Sequence, residues 1–369
     1  MSRTITTHRT STVRRLRRGA AALAAAALAV SALASCGTSA ASQDAAAGGT
    51  DASTLRLGYF ANITHALPLI GIKDGTYARE LGPTKLETQV FNAGPAAVEA
   101  LFAGSLDAAY VGPNPAINAF TKSGGEAVRI VAGASSGGAQ LVVRPEFTTA
   151  ASLKGQTLAS PQLGGTQDVA LRDWLKENGL SAPATGQGDV TVAPQENAQT
   201  LDLFTQGRIA GAWVPEPWAS RLVTEAGGKV LVDEKDLWPA GAFVTTHLIV
   251  STEFLRQHPA TVTRLLTAER STLAAATKDP ATAKATANAA LKELTGKQLS
   301  TAVLDRAWDN LTLTVDPIAS TLQAAAEHAV EVGTTKKADL AGIYDLTLLN
   351  ALLRADGQPP VSAAGLGSE

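Results

Sequence analysis

Residues 101–115, LFAGSLDAAYVGPNP, decide the fold class of this 369-residue chain, because they hold one full structural unit that occurs twice. The segment is typical of a helix end, a glycine stop at Gly104, a short strand and a proline-bracketed loop. Residues 203–217, LFTQGRIAGAWVPEP, repeat that order with one-residue shifts. The repetition predicts two α/β units with equivalent elements. The alternative is that alternating strands and helices produce such similarities in any protein of this class.

The chain up to and including this unit follows the same plan three times. Each predicted strand is followed by a short loop and by a helix with proline in or near its first turn. Strand, loop and helix in regular alternation predict a parallel sheet built from βαβ units. The predicted strands cover 55–60, 86–91 and 106–111, and the prolines are Pro68, Pro95 and Pro113.

The rest of the chain predicts a second lobe inserted into the first. Two apolar segments, at 140–145 and 243–250, are expected to cross between the lobes. Lobe II then comprises 144–244, and lobe I comprises 54–143 and 245–369. The alanine-rich C-terminal part carries apolar residues at helix spacing, so its helices are expected to complete lobe I.

The N-terminal sequence predicts an export signal. Four arginines precede an alanine- and leucine-rich run that ends at Leu33-Ala34-Ser35-Cys36. This order predicts a lipoprotein signal peptide over 1–35, with Cys36 as the lipidated residue and 36–53 as a flexible tether. A transmembrane helix is the alternative, but the run is shorter than the roughly 20 residues needed. Export through the general secretory route and through the twin-arginine route both remain open.

Composition excludes several classes of function. Removal of residues 1–35 leaves 25 basic and 33 acidic side chains, a net charge of −8, which argues against nucleic acid as a partner. The histidines show no metal-binding spacing, and no nucleotide-binding glycine motif is present, so no cofactor or metal is expected. Residues 133–137, GASSG, match a nucleophile elbow in letters, but a strand rather than a helix is predicted to follow. The protein is therefore not expected to be an enzyme.

The loop at residues 161–168, PQLGGTQD, predicts a binding site for a small oxyanion. It follows a predicted strand and precedes a helix over 169–177, with Thr166 as the expected N-cap. Free N–H groups at a helix start bind anions without a full positive charge. The alternative is that Gly-Gly-Thr forms only a turn and a cap.

Other polar or aromatic side chains fall at the predicted strand ends, where ligands bind in open α/β sheets. His65 alternatively has a structural role, and Trp213 alternatively belongs to the core. Glu216 would repel an anion, attract an ammonium group or brace its loop, and the bracing role is favoured because an unpaired acid in an anion site is costly. The predicted ligand-binding residues are Asn62, His65, Asn92, Gly112, Asn114, Gly165, Thr166, Gln167, Trp213 and Glu216.

The chain resembles the solute-binding lipoproteins of ABC importers in the nitrate/sulfonate/taurine group. The resemblance rests on residues 57–66, 91–100, 110–116, 161–172 and 213–218. It implies an α/β, two-lobed periplasmic-binding-protein fold of type II, with two crossover strands and a helical C-terminal region packed on lobe I. It also implies a lipid-anchored, extracytoplasmic monomer that closes on its ligand and delivers it to a membrane permease driven by a separate ATPase.

The implied ligand is a small anion or zwitterion, with an alkyl sulfonate favoured over nitrate and taurine. No lysine or arginine stands in the predicted cleft loops, so such an anion would depend on helix N-termini. A pyrimidine-precursor binding or biosynthetic protein on the same fold is the alternative, although an export signal is not expected in a cytosolic enzyme. A sensor lobe that reports to a membrane kinase is a further alternative.

Overall fold

A computed structural model of the chain describes residues 50–369. The predicted signal peptide, Cys36 and most of the predicted tether lie outside the described residues. Among the helices described, none combines the length and the apolar character needed to cross a bilayer.

Strands and helices alternate through residue 251, and helices dominate afterwards. The strands are β1 (Thr54–Phe60), β2 (Lys85–Phe91), β3 (Ala108–Val111), β4 (Val128–Gly137), β5 (Ala139–Val143), β6 (Thr157–Ser160), β7 (Thr191–Pro194), β8 (Gly211–Pro215), β9 (Lys229–Asp233), β10 (Val244–Ser251), β11 (Leu311–Leu313), β12 (Tyr344–Asp345) and β13 (Gly367–Ser368). The helices are α1 (Ala66–Lys73), α2 (Thr76–Leu81), α3 (Gly94–Phe102), α4 (Pro113–Lys122), α5 (Thr166–Glu177), α6 (Asn197–Thr205), α7 (Trp218–Thr224), α8 (Thr252–Gln257), α9 (Pro259–Lys278), α10 (Pro280–Thr295), α11 (Thr301–Asp309), α12 (Leu322–Glu331) and α13 (Thr347–Ala355).

The strands form two sheets. The first has the order β13-β12-β4-β10-β3-β1-β2, with β11 also paired to β4. The second has the order β7-β6-β8-β5-β9. In the first sheet β1 is parallel to β2 and β3, as the βαβ pattern predicts, while β10 runs antiparallel to both of its neighbours.

The two sheets repeat one plan. In the second sheet β6 is parallel to β7 and β8, and β5 runs antiparallel to β8 and β9. The order β7-β6-β8-β5-β9 therefore corresponds strand by strand to β2-β1-β3-β10-β4. The two stretches of the sequence repeat fold as α3-β3 and α6-β8, which occupy equivalent positions in this scheme. The predicted repetition is confirmed.

The chain passes between the sheets at two places. Gly137 and Gly138, with φ of 76° and 74°, turn it from β4 of the first sheet directly into β5 of the second. A positive φ of this kind is readily adopted only by glycine. The chain returns after β9 and enters β10 of the first sheet. Residues 139–143 thus lie in the second sheet, whereas the predicted boundary placed them in lobe I.

Helices cover both faces of each sheet, so strand interiors are buried from two sides. On the first sheet, one face packs against α1, α2, α9, α10, α11 and α13, and the other against α3, α4 and α12. On the second sheet, α5 covers one face, and α6 and α7 cover the other. The ends of the strands and the loops beyond them therefore remain available to a ligand.

The folded part begins before β1. The Ala52 N–H donates to Thr261 Oγ1 on α9 at 2.8 Å, and Asp51 forms an ion pair with Arg264 at 3.1 Å. Ala52 itself is buried. Residues 51 and 52, predicted to belong to a flexible tether, are thus held on the first sheet's helices.

Candidate functional site

A small cavity lies where the two sheets meet through the carboxyl ends of their strands. Its volume is about 40 Å³, and its walls come from loops after β1, β2, β3, β6, β7 and β8 together with the start of β10. This is the edge at which open α/β sheets bind ligands. Seven predicted residues line it: Asn62, His65, Asn92, Gly112, Gly165, Thr166 and Gln167.

A larger groove of about 820 Å³ lies at the opposite end of the first sheet, beside Thr54 and Val128, the first residues of β1 and β4. It is an open depression away from the strand ends where the helices start. Position and chemistry therefore favour the smaller cavity as the ligand site.

Four described helices, α3, α4, α5 and α6, begin at the smaller cavity. Gly94 and Asn197 are the first residues of α3 and α6, and Gly112 and Gly165 are the N-caps of α4 and α5; all four line the cavity. Helix starts present unpaired N–H groups and a partial positive charge. Their convergence makes the cavity electropositive, although no Lys, Arg, Asp or Glu of residues 50–369 lines it.

The α5 and α6 starts keep the N–H groups of their first turns, whereas prolines remove N–H groups from the first turns of α3 and α4. Gly165 is the N-cap of α5 and Thr166 its first helical residue, so the prediction of Thr166 as N-cap is wrong. Thr166 instead places its hydroxyl at the cavity wall. The helix also starts earlier than the predicted Val169.

Asp168, in the first turn of α5, does not compete with an anion for the helix start. Its carboxylate accepts hydrogen bonds from Ser160 Oγ at 2.7 Å and Gly164 N at 2.9 Å, and it pairs with Arg172 Nε at 3.1 Å. Asp168 and Arg172 are both buried. The paired arginine balances the acid, and the helix dipole remains available to a ligand.

Two buried polar atoms in the cavity wall lack partners. Thr166 Oγ1 and Asn197 Oδ1 have no hydrogen-bond partner among residues 50–369. Both residues are more than nine-tenths buried and line the cavity. An unpaired buried polar group costs about 1–3 kcal/mol, so such atoms indicate a site that a ligand or water completes.

His65 is a neutral donor. The Phe60 N–H donates to its Nδ1 at 3.3 Å, and burial lowers the pKa of the imidazole to about 3. With Nδ1 as acceptor, the neutral ring carries its proton on Nε2. His65 therefore lines the cavity as a neutral ring at physiological pH.

Sequence reasoning missed three cavity-lining threonines and Asn197. Thr64 follows β1, and Thr245 and Thr246 lie at the start of β10. The Thr64 carbonyl accepts hydrogen bonds from Ser135 Oγ at 2.7 Å and Thr246 Oγ1 at 3.0 Å, which ties the loop after β1 to the central strands. Asn197 stands three residues beyond the end of β7, a position whose polarity could have marked it.

Ser135 is not placed as a nucleophile. It lies inside β4, and its hydroxyl is buried and donates to the Thr64 carbonyl. The next element is β5 rather than a helix, as the sequence predicted. The strand–turn–helix geometry of a nucleophile elbow is therefore not formed here.

Trp213 does not reach the cavity. It lies in the middle of β8, is fully buried and packs on Trp174 of α5, with 6.3 Å between ring centroids. Its Nε1 donates to Glu234 Oε2 at 2.7 Å. Because helices cover both faces of this sheet, a mid-strand side chain becomes core, and the structure does not place Trp213 among the cavity-lining residues.

Asn114 and Glu216 are also turned away from the cavity. Asn114 Nδ2 donates to the Ala325 carbonyl of α12 at 3.0 Å. The buried Glu216 carboxylate accepts from Ser220 N at 3.0 Å and Asn310 Nδ2 at 2.6 Å, and pairs with Arg306 Nη1 at 3.2 Å. These contacts match the bracing role favoured for Glu216. Burial raises the pKa of Glu216, opposed by its hydrogen bonds and by Arg306.

Hydrogen bonds also join the two sheets' loops around the cavity. Trp218 Nε1 donates to Asn62 Oδ1 at 2.9 Å, and Asn92 Nδ2 donates to Glu196 Oε1 at 2.7 Å. Two predicted ligand residues thus contact the opposite side directly. Among residues 50–369, no group of three or more His, Cys, Asp or Glu side chains is arranged to hold a metal ion.

Residues 48–291 match the NMT1-like family, and the chain belongs to that family. The taurine-binding periplasmic protein of Escherichia coli (strain K12) is 27% identical over 189 residues, which are 51% of this chain and 56% of that protein. The chain spans about half the length of the curated relatives that it matches.

Two solved structures share the fold. The alkanesulfonate-binding protein SsuA from Xanthomonas axonopodis pv. citri, bound to MOPS, superposes with a TM-score of 0.65 at 22% identity, covering 78% of this chain and 96% of that one. The nitrate-binding protein NrtA from Synechocystis PCC 6803 superposes with a TM-score of 0.71 at 18% identity, covering 84% of this chain and 91% of that one. The predicted periplasmic-binding-protein fold and the resemblance to nitrate, sulfonate and taurine binding proteins are confirmed.

Proposed function

We propose that the protein is the extracytoplasmic solute-binding component of an ABC importer and that it captures an alkyl sulfonate or similar oxyanion compound. The single observation that carries this proposal is the cavity of about 40 Å³ at which four described helices start and two buried polar atoms lack partners. Helix N–H groups and neutral donors are suited to an oxyanion.

Size and charge support a small anionic head. One water occupies about 10–15 Å³ on the same volume scale, so the cavity takes a group of a few heavy atoms such as a sulfonate or nitrate. A neutral His65 adds a donor without a charge. A pyrimidine ring, the alternative from sequence, exceeds this volume in the present conformation.

Capture would proceed by closure of lobe I and lobe II, each centred on one sheet. The bonds Asn62–Trp218 and Asn92–Glu196 join their loops and would stabilise the closed form. Opening would then release the ligand to a membrane permease that a separate ATPase drives. In this scheme the chain has no chemical step, and binding energy stabilises closure.

The test is a thermal-shift screen of the chain from residue 37 onward, which contains every described residue, after refolding from urea removes carried-over ligand. The panel holds methanesulfonate, longer alkyl sulfonates, taurine, nitrate, sulfate, bicarbonate and a thiamine-precursor pyrimidine. A ligand at about 100 times its Kd adds roughly 2.7 kcal/mol, a shift of several degrees. A shift with the pyrimidine alone would contradict the oxyanion proposal.

Anchoring is proposed to occur through Cys36. The Cys36→Ala protein should move from the membrane to the soluble fraction, and unchanged membrane association would contradict the lipid anchor. Ser35→Ala, a neighbouring small-to-small change that keeps the cysteine, serves as the control.

A further inference from the structure

A second cavity, of about 20 Å³, adjoins the ligand cavity of about 40 Å³ at Thr166, which lines both. We call this second cavity the rear chamber. Its other walls include Glu234, which follows β9, Phe243, which precedes β10, and His328 of α12. Thr166 therefore stands between the rear chamber and the proposed anion site.

The rear chamber has room for one water molecule. A water needs about 10–15 Å³ on this scale and two to four polar partners. Thr166 Oγ1 is buried and has no hydrogen-bond partner among residues 50–369. Glu234 Oε2 accepts from Trp213 Nε1 at 2.7 Å, which leaves Oε1 available for a further contact. Thr166 and Glu234 thus offer a water two groups to bridge.

Glu234 is a buried acid that its neighbours do not neutralise. Its chain neighbour Lys235 pairs with Asp233 at 3.3 Å instead. A buried carboxyl group without a cation keeps its proton, because burial penalises the charged form. Burial raises the pKa of Glu234 to about 7, and Asp233 acts in the same direction. Glu234 is therefore neutral below about pH 7 and becomes ionised above it.

Most other charged side chains on the elements around the rear chamber are paired or exposed. Glu177 of α5, Asp236 beside Glu234 and Glu327 of α12 are exposed, so solvent screens their charges. The ion pairs are Asp173–His328 at 3.3 Å, Asp168–Arg172 at 3.1 Å, Lys176–Glu331 at 2.8 Å and Asp233–Lys235 at 3.3 Å. Among residues 50–369, His328 is the other titratable group in the chamber wall, so a test must separate it from Glu234.

Ionisation of Glu234 would place a negative charge one water and one hydroxyl away from a bound anion. Trp238 and Phe243 also line the chamber, and their rings stack with 5.8 Å between centroids. Two charges in such an apolar enclosure are screened much less than in water. No lysine or arginine among residues 50–369 lines the ligand cavity to compensate the added charge.

We propose that Glu234 is a positioning residue for the anion, which it controls through a water in the rear chamber and through Thr166. In the neutral form the Glu234 O–H donates to the water, the water donates to Thr166 Oγ1, and the Thr166 O–H donates to the anion. The carboxylate opposes binding, so an ionised site takes a proton from solvent onto Glu234 when the anion binds. The inference rests on the proposed function and adds proton-linked binding to it.

Binding of the anion and protonation of Glu234 are reciprocal. If the neutral form binds the anion more tightly, the bound anion raises the pKa of Glu234 above about 7 by the same factor. Affinity is therefore full below about pH 7 and falls as pH rises above that value. The same linkage requires net proton uptake on binding at and above neutral pH.

The test is isothermal titration of the refolded chain from residue 37 onward with methanesulfonate, an anion whose charge stays constant across the pH range. The buffers are the amines bis-Tris, triethanolamine and Tris, because sulfonate and phosphate buffers would compete for the site. Affinity should fall at least tenfold between about pH 6 and about pH 8.5. At about pH 7.5, the difference in binding enthalpy between triethanolamine and Tris should correspond to uptake of roughly half a proton per anion.

Three variants assign the proton to its residue. Glu234→Gln cannot ionise, so its affinity should no longer depend on pH and its binding should take up no proton. Glu225→Gln is the matched control, because Glu225 pairs with Arg221 and lines neither cavity, and it should behave as the parent does. His328→Gln should keep the pH dependence of the parent.

The outcomes separate this inference from the proposed function. A pH-independent affinity in the parent, or binding without proton uptake, would overturn the role of Glu234 and leave the proposed function standing. A pH dependence that survives Glu234→Gln, or that disappears in His328→Gln, would do the same. Absence of methanesulfonate binding at every pH would overturn the proposed capture of sulfonates, and this inference with it.

Discussion

Gly112 and Thr166 meet across the two sheets with no room for a side chain at residue 112. A Cβ atom on Gly112 would overlap Thr166 Oγ1 and would stand 3.4 Å from the Thr245 carbonyl oxygen. The φ of Gly112 is −73°, so the backbone itself does not require glycine. The requirement is the close approach of the α4 and α5 starts.

Gly112→Ala should therefore impair binding more than folding. The added methyl group pushes Thr166 and the α5 start away from the cavity, and we expect ligand affinity to fall at least tenfold. The melting temperature of the ligand-free protein should change little, because the two loops can separate. Isothermal titration and thermal unfolding measure the two effects.

Gly104→Ala gives the opposite pattern and is the control. Gly104 has φ of 67° and open space around its Cβ position, so alanine there adds backbone strain of about 1 kcal/mol without touching the cavity. Its melting temperature should fall while affinity stays constant. Loss of stability without loss of affinity in Gly112→Ala would contradict the close-approach argument.

Thr166→Val should separate ligand binding from stability. The substitution removes a buried hydroxyl that has no partner among residues 50–369, so the ligand-free protein should be as stable as the parent or about 1 kcal/mol more stable. Affinity for the anion should fall about tenfold, because a hydrogen bond to a charged group is lost. Thr166→Ser keeps the hydroxyl and should retain binding; equal affinity of the valine variant would exclude Thr166 as a ligand contact.

Arg306→Met should destabilise the protein by roughly 2–3 kcal/mol, because it leaves the buried Glu216 carboxylate without its cation. The double variant Arg306→Met with Glu216→Gln should recover much of that loss. Urea unfolding of the two single variants and the double variant measures the coupling. Additive losses would show that the pair does not act as one unit.

Glu234→Gln should change the pH dependence of stability. Burial raises the pKa of Glu234 to about 7, so the folded protein keeps a proton that the unfolded chain releases near its ordinary value of 4.5. The proton on Glu234 therefore stabilises the folded state fully below pH 4.5, and this stabilisation is lost as pH rises to about 7. Across that window, the free energy of unfolding of Glu234→Gln should rise relative to that of the parent by about 1.4 kcal/mol per pH unit.

His65 and His247 also make stability depend on pH, but equally in the parent and in Glu234→Gln, so their effect cancels when the two proteins are compared. Burial lowers their pKa values to about 3 and about 4, which makes stability fall as pH decreases below 6.5. Both proteins share that trend. A difference in unfolding free energy that stays constant from pH 4.5 to pH 7 would contradict the buried proton on Glu234.

Local patterns predicted the strands and helices well. Proline and glycine positions marked the starts of α3 and α4 and the stops after α3 and α6, and the sequence repeat located β3 and β8 in equivalent places. Seven of the ten predicted ligand residues line one cavity, because parallel strands bring their carboxyl ends to one edge. Their role in binding stays a prediction.

The remaining site features depend on contacts between distant parts of the chain. Arg306 meets Glu216 across 90 residues of sequence, and Thr246 meets Thr64 across 182. No local period encodes such pairs. The sequence predicts Trp213 at a strand end, with a core position as the alternative. The residue lies in mid-strand, and the helices on both faces of its sheet make it core.

The paired passages between the sheets also bear on cleavage of the chain. The passage at Gly137 lies beside the one at Phe243, and the Gly137 N–H donates to the Phe243 carbonyl at 3.4 Å. A protease that cuts one passage leaves the other peptide connection intact. One cut at Gly137 yields two fragments that both contribute strands to the first sheet, so they should co-migrate on gel filtration and separate under denaturing conditions.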